Sequence, residues 1–237
     1  MRIKIIFDKE SKNKRLHTGW GISFLINDEI LFDAGENGDW LIDNMKKLKV
    51  KLDKLKTVII SHDHWDHMRG LWGLMRKVKG ITVHACPGFS DSFKRHVKVL
   101  GGNLIQHSDF NQLKKGIYVT GEIPARYKGS SMPEQALVLK TKNGISVLTG
   151  CAHPGIIKIL KKVRIKFPKE KLYLVLGGFH LYGKNSRAIE TIVDSFKEIG
   201  VKKVGPTHCT GKKATELFRE GFGDDFIDVK VGQTINI

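Results

Sequence analysis

Five potential metal ligands lie within a segment of seven residues, Ser61-His62-Asp63-His64-Trp65-Asp66-His67. Imidazole nitrogens and carboxylate oxygens are donors that zinc, manganese and iron accept in proteins. A lone histidine more often belongs to a solvated loop, with a nearby aspartate as a helix cap. So dense a cluster of ligand types is instead typical of a functional site. The segment therefore predicts a metal centre.

The spacing of these ligands indicates two metal positions rather than one. His62 and His64 are two residues apart, so their side chains can point the same way from an extended backbone. Asp66 and His67 begin the next turn and can reach a second ion. Two cations about 3.5–4 Å apart would activate a water molecule and offset developing negative charge. The chemistry expected of such a site is metal-dependent hydrolysis.

The residues around the cluster predict a strand, a ligand loop, a helix and a second strand. Residues 57–60 form a short apolar, β-branched run that is typical of a buried strand. Residues 70–75 have helical apolar spacing, and residues 81–84 form the next strand-like run. This order is that of a β-α-β unit, which places the ligands at the end of its first strand.

Three more histidines follow predicted strands. They are His153 after residues 145–148, His180 after residues 172–176 and His208 after residues 203–205. Each alone is more typical of a turn or a hydrogen-bonded structural histidine. Strand ends that meet at one rim of a sheet can, however, assemble a dispersed site. We therefore expect His153 and His208 to join the cluster, with a helix that starts at Pro154.

Length and composition favour a single domain over residues 1–237, because the chain is 41% hydrophobic and shows no low-complexity linker. No stretch of about eighteen uninterrupted apolar residues and no secretory leader is evident, so we expect a cytoplasmic protein without a membrane partner. Three cysteines without a Cys-x-x-Cys pair favour a reducing compartment over a disulfide framework. The oligomeric state is left open.

The charge balance favours anionic partners. Lys and Arg number 41 against 24 for Asp and Glu, which gives a formal net charge of +17. The lysines are spread along the chain without interleaved aromatic residues. A Lys-rich surface, as in proteins of thermophiles, explains them as well as a nucleic-acid track does. A nucleic-acid partner thus stays open but is not favoured.

Several segments resemble the metallo-β-lactamase-fold hydrolases, beginning with the His-x-His-x-Asp-His string of the cluster. The others are Pro-Glu-Gln-Ala-Leu at 133–137, Thr-Gly-Cys-Ala-His-Pro-Gly at 149–155, Gly-Gly-Phe-His-Leu at 177–181 and Thr-His-Cys-Thr-Gly at 207–211. These are similar to the subgroup that contains a dihydropterin–ribofuranosylaminobenzene phosphate synthase and other metal-dependent hydrolases. The resemblance implies an α/β fold, a four-layer αββα sandwich of two mixed β-sheets with helices on the outer faces.

The resemblance also implies two divalent metal ions, with zinc the first expectation and manganese, iron or magnesium as alternatives. The implied ligands form two sets, His62 with His64 and His153, and Asp66 with His67 and His208.

One position departs from the superfamily pattern. The superfamily has Thr-Gly-Asp, with a bridging aspartate, where this chain has Thr149-Gly150-Cys151. Cys151 could bridge the metals as a thiolate, or the site could lack a protein bridge. Asp33, in an Asp-Ala-Gly turn, is either a turn residue or an acceptor that orients a ligand histidine.

Two residues and one pocket are candidates for catalysis and substrate binding. Asp66 is expected to ligate and orient rather than to act as a free base. His180 could donate a proton to a leaving group, bind a substrate phosphate, or be a packed structural histidine. A candidate phosphate pocket at a helix N-terminus consists of Thr210, Gly211, Lys212 and Lys213. Its alternative is a capped helix with solvated lysines.

The expected function is hydrolysis of an anionic, phosphorylated small molecule by a metal-dependent enzyme. The alternatives are a transferase of the dihydropterin synthase type, a nuclease, and a metal-binding sensor without turnover.

Overall fold

Fifteen β-strands and six α-helices make up the protein in this computed structural model, which describes residues 1–237. The strands are β1 (Arg2–Phe7), β2 (Ser23–Ile26), β3 (Ile30–Phe32), β4 (Thr57–Ile59), β5 (Thr82–Ala85), β6 (Asn103–Gln106), β7 (Asn111–Lys114), β8 (Ile117–Val119), β9 (Arg126–Tyr127), β10 (Ser130–Ser131), β11 (Leu137–Thr141), β12 (Gly144–Thr149), β13 (Leu172–Gly178), β14 (Val201–Thr207) and β15 (Thr234–Asn236). The helices are α1 (Gly38–Lys47), α2 (Trp65–Lys77), α3 (Asp91–Val99), α4 (Ile156–Lys166), α5 (Ser186–Ile199) and α6 (Lys212–Phe222).

The strands form two mixed sheets and a separate hairpin. The first sheet has the order β15-β1-β2-β3-β4-β5-β6, and the second has the order β14-β13-β12-β11-β8-β7. Strands β3 to β6 are parallel to one another, as are β12 to β14. The remaining pairs are antiparallel. Hairpin β9–β10 pairs only with itself.

Three apolar clusters hold the layers together. One joins the first sheet to α1, α2 and α3, and a second joins the other sheet to α4, α5 and α6. The third lies between the sheets and includes Ile3 and Phe24 from one and Leu148 and Leu174 from the other. Every residue of strand β12 is buried, as expected of a strand that is covered on both faces. The predicted four-layer αββα sandwich is confirmed.

The predicted β-α-β unit is present as β4, α2 and β5, with the ligand cluster between β4 and the first turn of α2. The helix expected to start at Pro154 begins instead at Ile156, with Gly155 at its N-cap. Strands β6 and β7 were not predicted, because they are polar, largely exposed strands at sheet edges and lack a buried face. That residues 1–237 form a single domain remains a prediction.

No helix combines the length and apolar character needed to cross a membrane.

A buried carboxylate links the two sheets at the rim where the histidines lie. Asp8 follows β1 and is fully buried. The hydroxyl of Thr207, at the end of β14, lies 2.8 and 2.7 Å from its two carboxylate oxygens. The amide of Lys9 donates to Oδ1 at 2.6 Å. Burial raises the pKa of Asp8 to about 6, although these hydrogen bonds oppose the shift.

This raised pKa predicts how stability depends on pH. The folded protein keeps the Asp8 proton up to about pH 6, whereas the unfolded chain loses it near 3.8, so stability falls as pH rises between these values. Asp8→Asn carries no charge and lacks this loss. From about pH 4 to about pH 7, the native protein should therefore lose about 2–3 kcal/mol of unfolding free energy that the variant keeps. Denaturant titrations at several pH values measure it, and parallel curves for the two proteins would contradict it.

Candidate metal centre

The strand-end histidines converge at one rim of the sandwich. His62, His64 and His67 follow β4 of the first sheet, while His153 and His208 follow β12 and β14 of the second. The Nε2 atoms of His67 and His208 lie 3.2 Å apart, although 141 residues separate them in the chain. The rim therefore brings ligands from both sheets into one site.

The first predicted ligand set is brought together. One ligand atom from each of His62, His64 and His153 lies within 4.8 Å of the others. The ring centroids are 4.9 Å apart for His62 and His64, 4.6 Å for His62 and His153, and 5.0 Å for His64 and His153.

The second predicted set is also brought together. Asp66, His67 and His208 place one ligand atom each within 4.8 Å of one another. Asp66 Oδ2 lies 3.5 Å from His67 Nε2 and 3.3 Å from His208 Nε2. Burial would raise the pKa of Asp66, but hydrogen bonding to His208 and the charges of the two histidines hold it below its usual range. This carboxylate is therefore an anion that faces two imidazoles.

Cys151 lies between the two sets. Its sulfur is 3.4 Å from His67 Nε2. The same sulfur lies within 4.8 Å of ligand atoms of His62 and His67, and also of a ring nitrogen of His208. It thus occupies the position that a bridging ligand would need.

Asp33 holds His67 in one orientation. Its Oδ2 lies 2.7 Å from His67 Nδ1, so the ring donates there and directs Nε2 toward Asp66 and His208. Ser61 donates to Asp33 from its amide and its hydroxyl, both at 2.7 Å. Asp33 has a left-handed backbone, with φ of 56°, so it is both a turn residue and an acceptor.

Glu134 holds His153 in one orientation, as Asp33 holds His67. This carboxylate is 1% exposed and accepts from three consecutive amides, those of Cys151 at 3.0 Å, Ala152 at 2.8 Å and His153 at 2.8 Å. It also lies 3.2 Å from His153 Nδ1. Burial by itself would raise the pKa of Glu134. The hydrogen bonds from His153 and the backbone amides outweigh burial and hold the pKa below its usual value, so the group is an anion. The sequence assigned Glu134 no role.

The loop that Glu134 holds explains the late start of α4. Ala152 takes a left-handed backbone with φ of 62°, and the amides of residues 151–153 all point at the carboxylate. Gly155 has φ of 93° and ψ of 126°, a backbone that a right-handed helix cannot include, so Pro154 falls in the turn before the helix.

Two of the ligand imidazoles, those of His62 and His67, differ in protonation. Burial, together with neighbouring His67 and His153, lowers the pKa of His62 well below its ordinary value, which leaves its ring neutral. Burial lowers the pKa of His67, but the carboxylate of Asp33 outweighs it and raises the value to about 9. His67 is therefore a cation paired with Asp33, and a bound metal ion would take the place of its Nε2 proton. Neutral imidazoles, carboxylates and one sulfur are a donor set that fits divalent metals.

A cavity of about 710 Å³ opens over these ligands. Four aromatic residues from separate segments line it, and none of them was predicted as a site residue: Trp20, Trp65, Tyr127 and Tyr182. Tyr127, on hairpin β9–β10, lies with its ring 5.0 Å from that of His64 and 5.1 Å from that of His153. Single aromatic residues from segments far apart in the chain carry no shared pattern, so this wall was not predictable from the sequence.

His180 lies in the wall of the cavity, with its ring 4.6 Å from that of His153. Its Nδ1 is buried and has no hydrogen-bond partner. The backbone at His180 is left-handed, with φ of 52°. This free ring nitrogen distinguishes His180 from a fully hydrogen-bonded structural histidine.

The four residues of the candidate phosphate pocket lie elsewhere. Thr210, Gly211, Lys212 and Lys213 line a neighbouring cavity of about 360 Å³, which shares Tyr182 with the larger one. The Thr210 hydroxyl donates to Thr207 O at 2.7 Å and accepts from Phe179 N at 3.1 Å. The side chain of Lys212 is 91% exposed. The structure therefore places this group beside the histidines rather than among them.

The layered fold and the clustered rim ligands define the class. The chain belongs to the metallo-beta-lactamase superfamily, whose sequence model matches residues 23–123. It is 31% identical to the 7,8-dihydropterin-6-methyl-4-(beta-D-ribofuranosyl)-aminobenzene-5'-phosphate synthase of Methanocaldococcus jannaschii, over 91% of this chain and 89% of that protein. The predicted resemblance to this subgroup is confirmed.

Solved structures agree with this assignment. The crystal structure of Tm1679, a metal-dependent hydrolase of the beta-lactamase superfamily, is 28% identical with a TM-score of 0.84, over 100% of this chain and 99% of that one. Human tRNase Z, short form, has a TM-score of 0.65 at 14% identity, over 100% of this chain and 99% of that one. The second likeness is one of fold alone.

The Glu134 network predicts a large stability effect. Glu134→Gln replaces one acceptor oxygen with an NH₂ group that would face the backbone amides, so buried donors lose their partner. We expect the free energy of unfolding to fall by about 2–4 kcal/mol, measured by denaturant titration. The matched control is Glu122→Gln, because Glu122 is partly exposed and accepts from the single amide of Gly88. A loss no larger than that of the control would contradict the role given to Glu134.

Proposed function

We propose that the protein is a metal-dependent hydrolase with a dinuclear centre that acts on an anionic, phosphorylated small molecule. The observation that carries the proposal is that two three-residue donor sets lie side by side at one rim, and that four of the six residues line the cavity. One ordinary tetrahedral site uses about four ligands, so six donors in two groups suit two ions better than one.

In this proposal each set holds one cation. Zinc is the expected metal, because imidazole and thiolate donors suit it better than they suit magnesium. When bound, the cations supply an activated water molecule and neutralise charge on substrate oxygens. Cys151 lies between the sets, where a thiolate could join them.

The chain's own residues would position the reactants. Asp66 faces both His67 and His208, which leaves it to bind and orient rather than to act as a free base. His180 has its unpaired Nδ1 in the cavity wall, so it can donate a proton to the leaving group or hydrogen-bond a substrate phosphate. Asp33 and Glu134 fix the two histidines that they contact.

An anionic substrate is supported by charge and by one relative. The net charge of +17 attracts anions at long range, and Lys128 lines the cavity. The relative from M. jannaschii has a 5'-phosphate in its name. A nuclease is less favoured, since the 31% identity to the ribonuclease Z of Listeria welshimeri covers only 37% of this chain and the likeness to human tRNase Z is at 14% identity.

The aromatic wall favours a second candidate function. Trp20 and Trp65 are 45% and 43% exposed at the cavity, and Tyr127 and Tyr182 complete the wall. Such rings can stack on a flat substrate. A transferase of the dihydropterin synthase type would use them, with an aromatic acceptor in place of water.

Isotope labelling separates the two functions. Metal-loaded protein would be incubated with phosphoesters in water enriched in heavy oxygen, with manganese, zinc, iron or magnesium and with or without an aromatic acceptor. Hydrolysis puts the heavy oxygen into a product, whereas transfer joins the acceptor and leaves the products unlabelled. No turnover with any of these metals would instead favour a metal-binding sensor.

The metal content of variants tests the dinuclear centre. Native protein purified without chelator should contain two divalent ions per chain, and His64→Ala should contain about one, because a set reduced to two donors binds weakly. His96→Ala is the matched control, since His96 is exposed on α3. Elemental analysis measures each protein. A native value near one that does not rise on reconstitution would defeat the dinuclear proposal.

The lysine cavity makes a separate prediction. If Lys212 and Lys213 bind a substrate phosphate, changing both to glutamine should weaken kcat/KM on the phosphorylated substrate by about 1–3 kcal/mol. A neutral ester and the metal content should be nearly unaffected. The control removes the same charge by changing Lys12 and Lys14, which are exposed and lie outside both cavities. Equal losses on both substrates would end the phosphate assignment.

A further inference from the structure

Two thiols meet in the wall of the histidine cavity. Cys151 follows β12 and Cys209 follows β14, on either side of the end of β13. Their sulfur atoms and a ring nitrogen of His208 all lie within 4.8 Å of one another. Both cysteines are free and buried, and both line the cavity. The third cysteine, Cys86, belongs to the core cluster of the first sheet.

Gly178 provides the space in which the thiols meet. A Cβ atom at this position would lie 2.7 Å from Cys209 Sγ and 3.3 Å from Cys151 Cα. Any larger residue at the end of β13 would therefore displace one of the two cysteines. In the structure Cys209 Sγ also contacts the backbone oxygen of Cys151 at 3.5 Å. The pair is thus packed together by the local backbone.

We propose that Cys151 and Cys209 form a redox modification site, a dithiol that a hydroperoxide oxidises to a disulfide. In the first step the sulfur of Cys209 attacks the hydroperoxide. An S–O bond forms, the O–O bond breaks, and the thiol proton leaves with the released water or alcohol. In the second step the sulfur of Cys151 attacks Cys209. The S–S bond forms, the S–O bond breaks, and the second thiol proton leaves with the hydroxyl group as water. The two sulfurs lose two electrons, which the peroxide gains.

Cys209 is assigned the first attack because it has no contact with the predicted ligand histidine His67. Neither of the two proposed metal sets needs it, whereas the sulfur of Cys151 contacts His67 at 3.4 Å. Cys151 is then the resolving thiol, already adjacent to the oxidised sulfur. A dithiol partner at this distance favours the disulfide over further oxidation of Cys209.

The consequence for the metal centre rests on the proposed function. A disulfide requires the two sulfurs to lie about 2.05 Å apart, which draws Cys151 away from His67. Oxidation would then remove the sulfur from between the two metal sets, and reduction would restore it. The site would respond to peroxide by losing its metals rather than by irreversible damage.

Peptide mapping after oxidation tests the proposal. Metal-free and metal-loaded protein would be treated with one equivalent of hydrogen peroxide, alkylated, digested and analysed by mass spectrometry. We expect a peptide cross-linked through Cys151 and Cys209 in the native protein and in Cys86→Ala. A reducing dithiol should reverse this cross-link. Cys209→Ser should give no cross-link. Oxidised protein should bind metal at least about tenfold more weakly than reduced protein in chelator competition.

Absence of the cross-link in Cys86→Ala, with the two cysteines either unmodified or separately oxidised, would overturn the modification site. A cross-link with unchanged metal affinity would overturn its control of the metal centre. Mapping needs neither metal nor turnover, so its result is independent of whether the protein is a hydrolase.

Discussion

Two buried carboxylates paired with imidazoles are the constraint on which the site depends. A carboxylate removed from water is costly unless it is hydrogen-bonded and paired. Glu134 meets this requirement through three amides and His153, and Asp33 meets it through Ser61 and His67. Each pairing fixes a ring by its Nδ1 and leaves Nε2 toward the cavity. The ligand geometry is therefore built into the protein by hydrogen bonds that do not involve an ion.

The sandwich supplies the rim at which these pairs can meet. Parallel strands β3 to β6 and β12 to β14 end on the same side of the molecule, and the apolar layer between the sheets holds them face to face. The loops after the strands are then free to carry polar residues. Asp8, after β1, and Thr207, at the end of β14, join the two sheets at the same rim. The apolar core thus sets the distance between loops, and the carboxylates set the orientation within them.

Local patterns were predictable from sequence, and long-range partners were not. The β-α-β unit around His62 follows from apolar runs and spacing, which each element carries in its own residues. The grouping of His153 with His62 and His64 came from a resemblance to a family rather than from spacing. Glu134 stands 19 residues from His153, and Asp8 stands 199 from Thr207, so nothing local marks either pair. The predicted start of α4 was wrong because Gly155, with φ of 93°, interrupts the helical backbone between Pro154 and Ile156. The bridging role of Cys151 and the proton-donor role of His180 stay predictions.

Anomalous scattering from crystals of metal-loaded protein tests the central claim most directly. The account predicts two peaks about 3.5–4 Å apart. One should lie among His62, His64 and His153, the other among Asp66, His67 and His208, with Cys151 sulfur between them. A single peak, or peaks outside these two sets, would contradict the dinuclear centre.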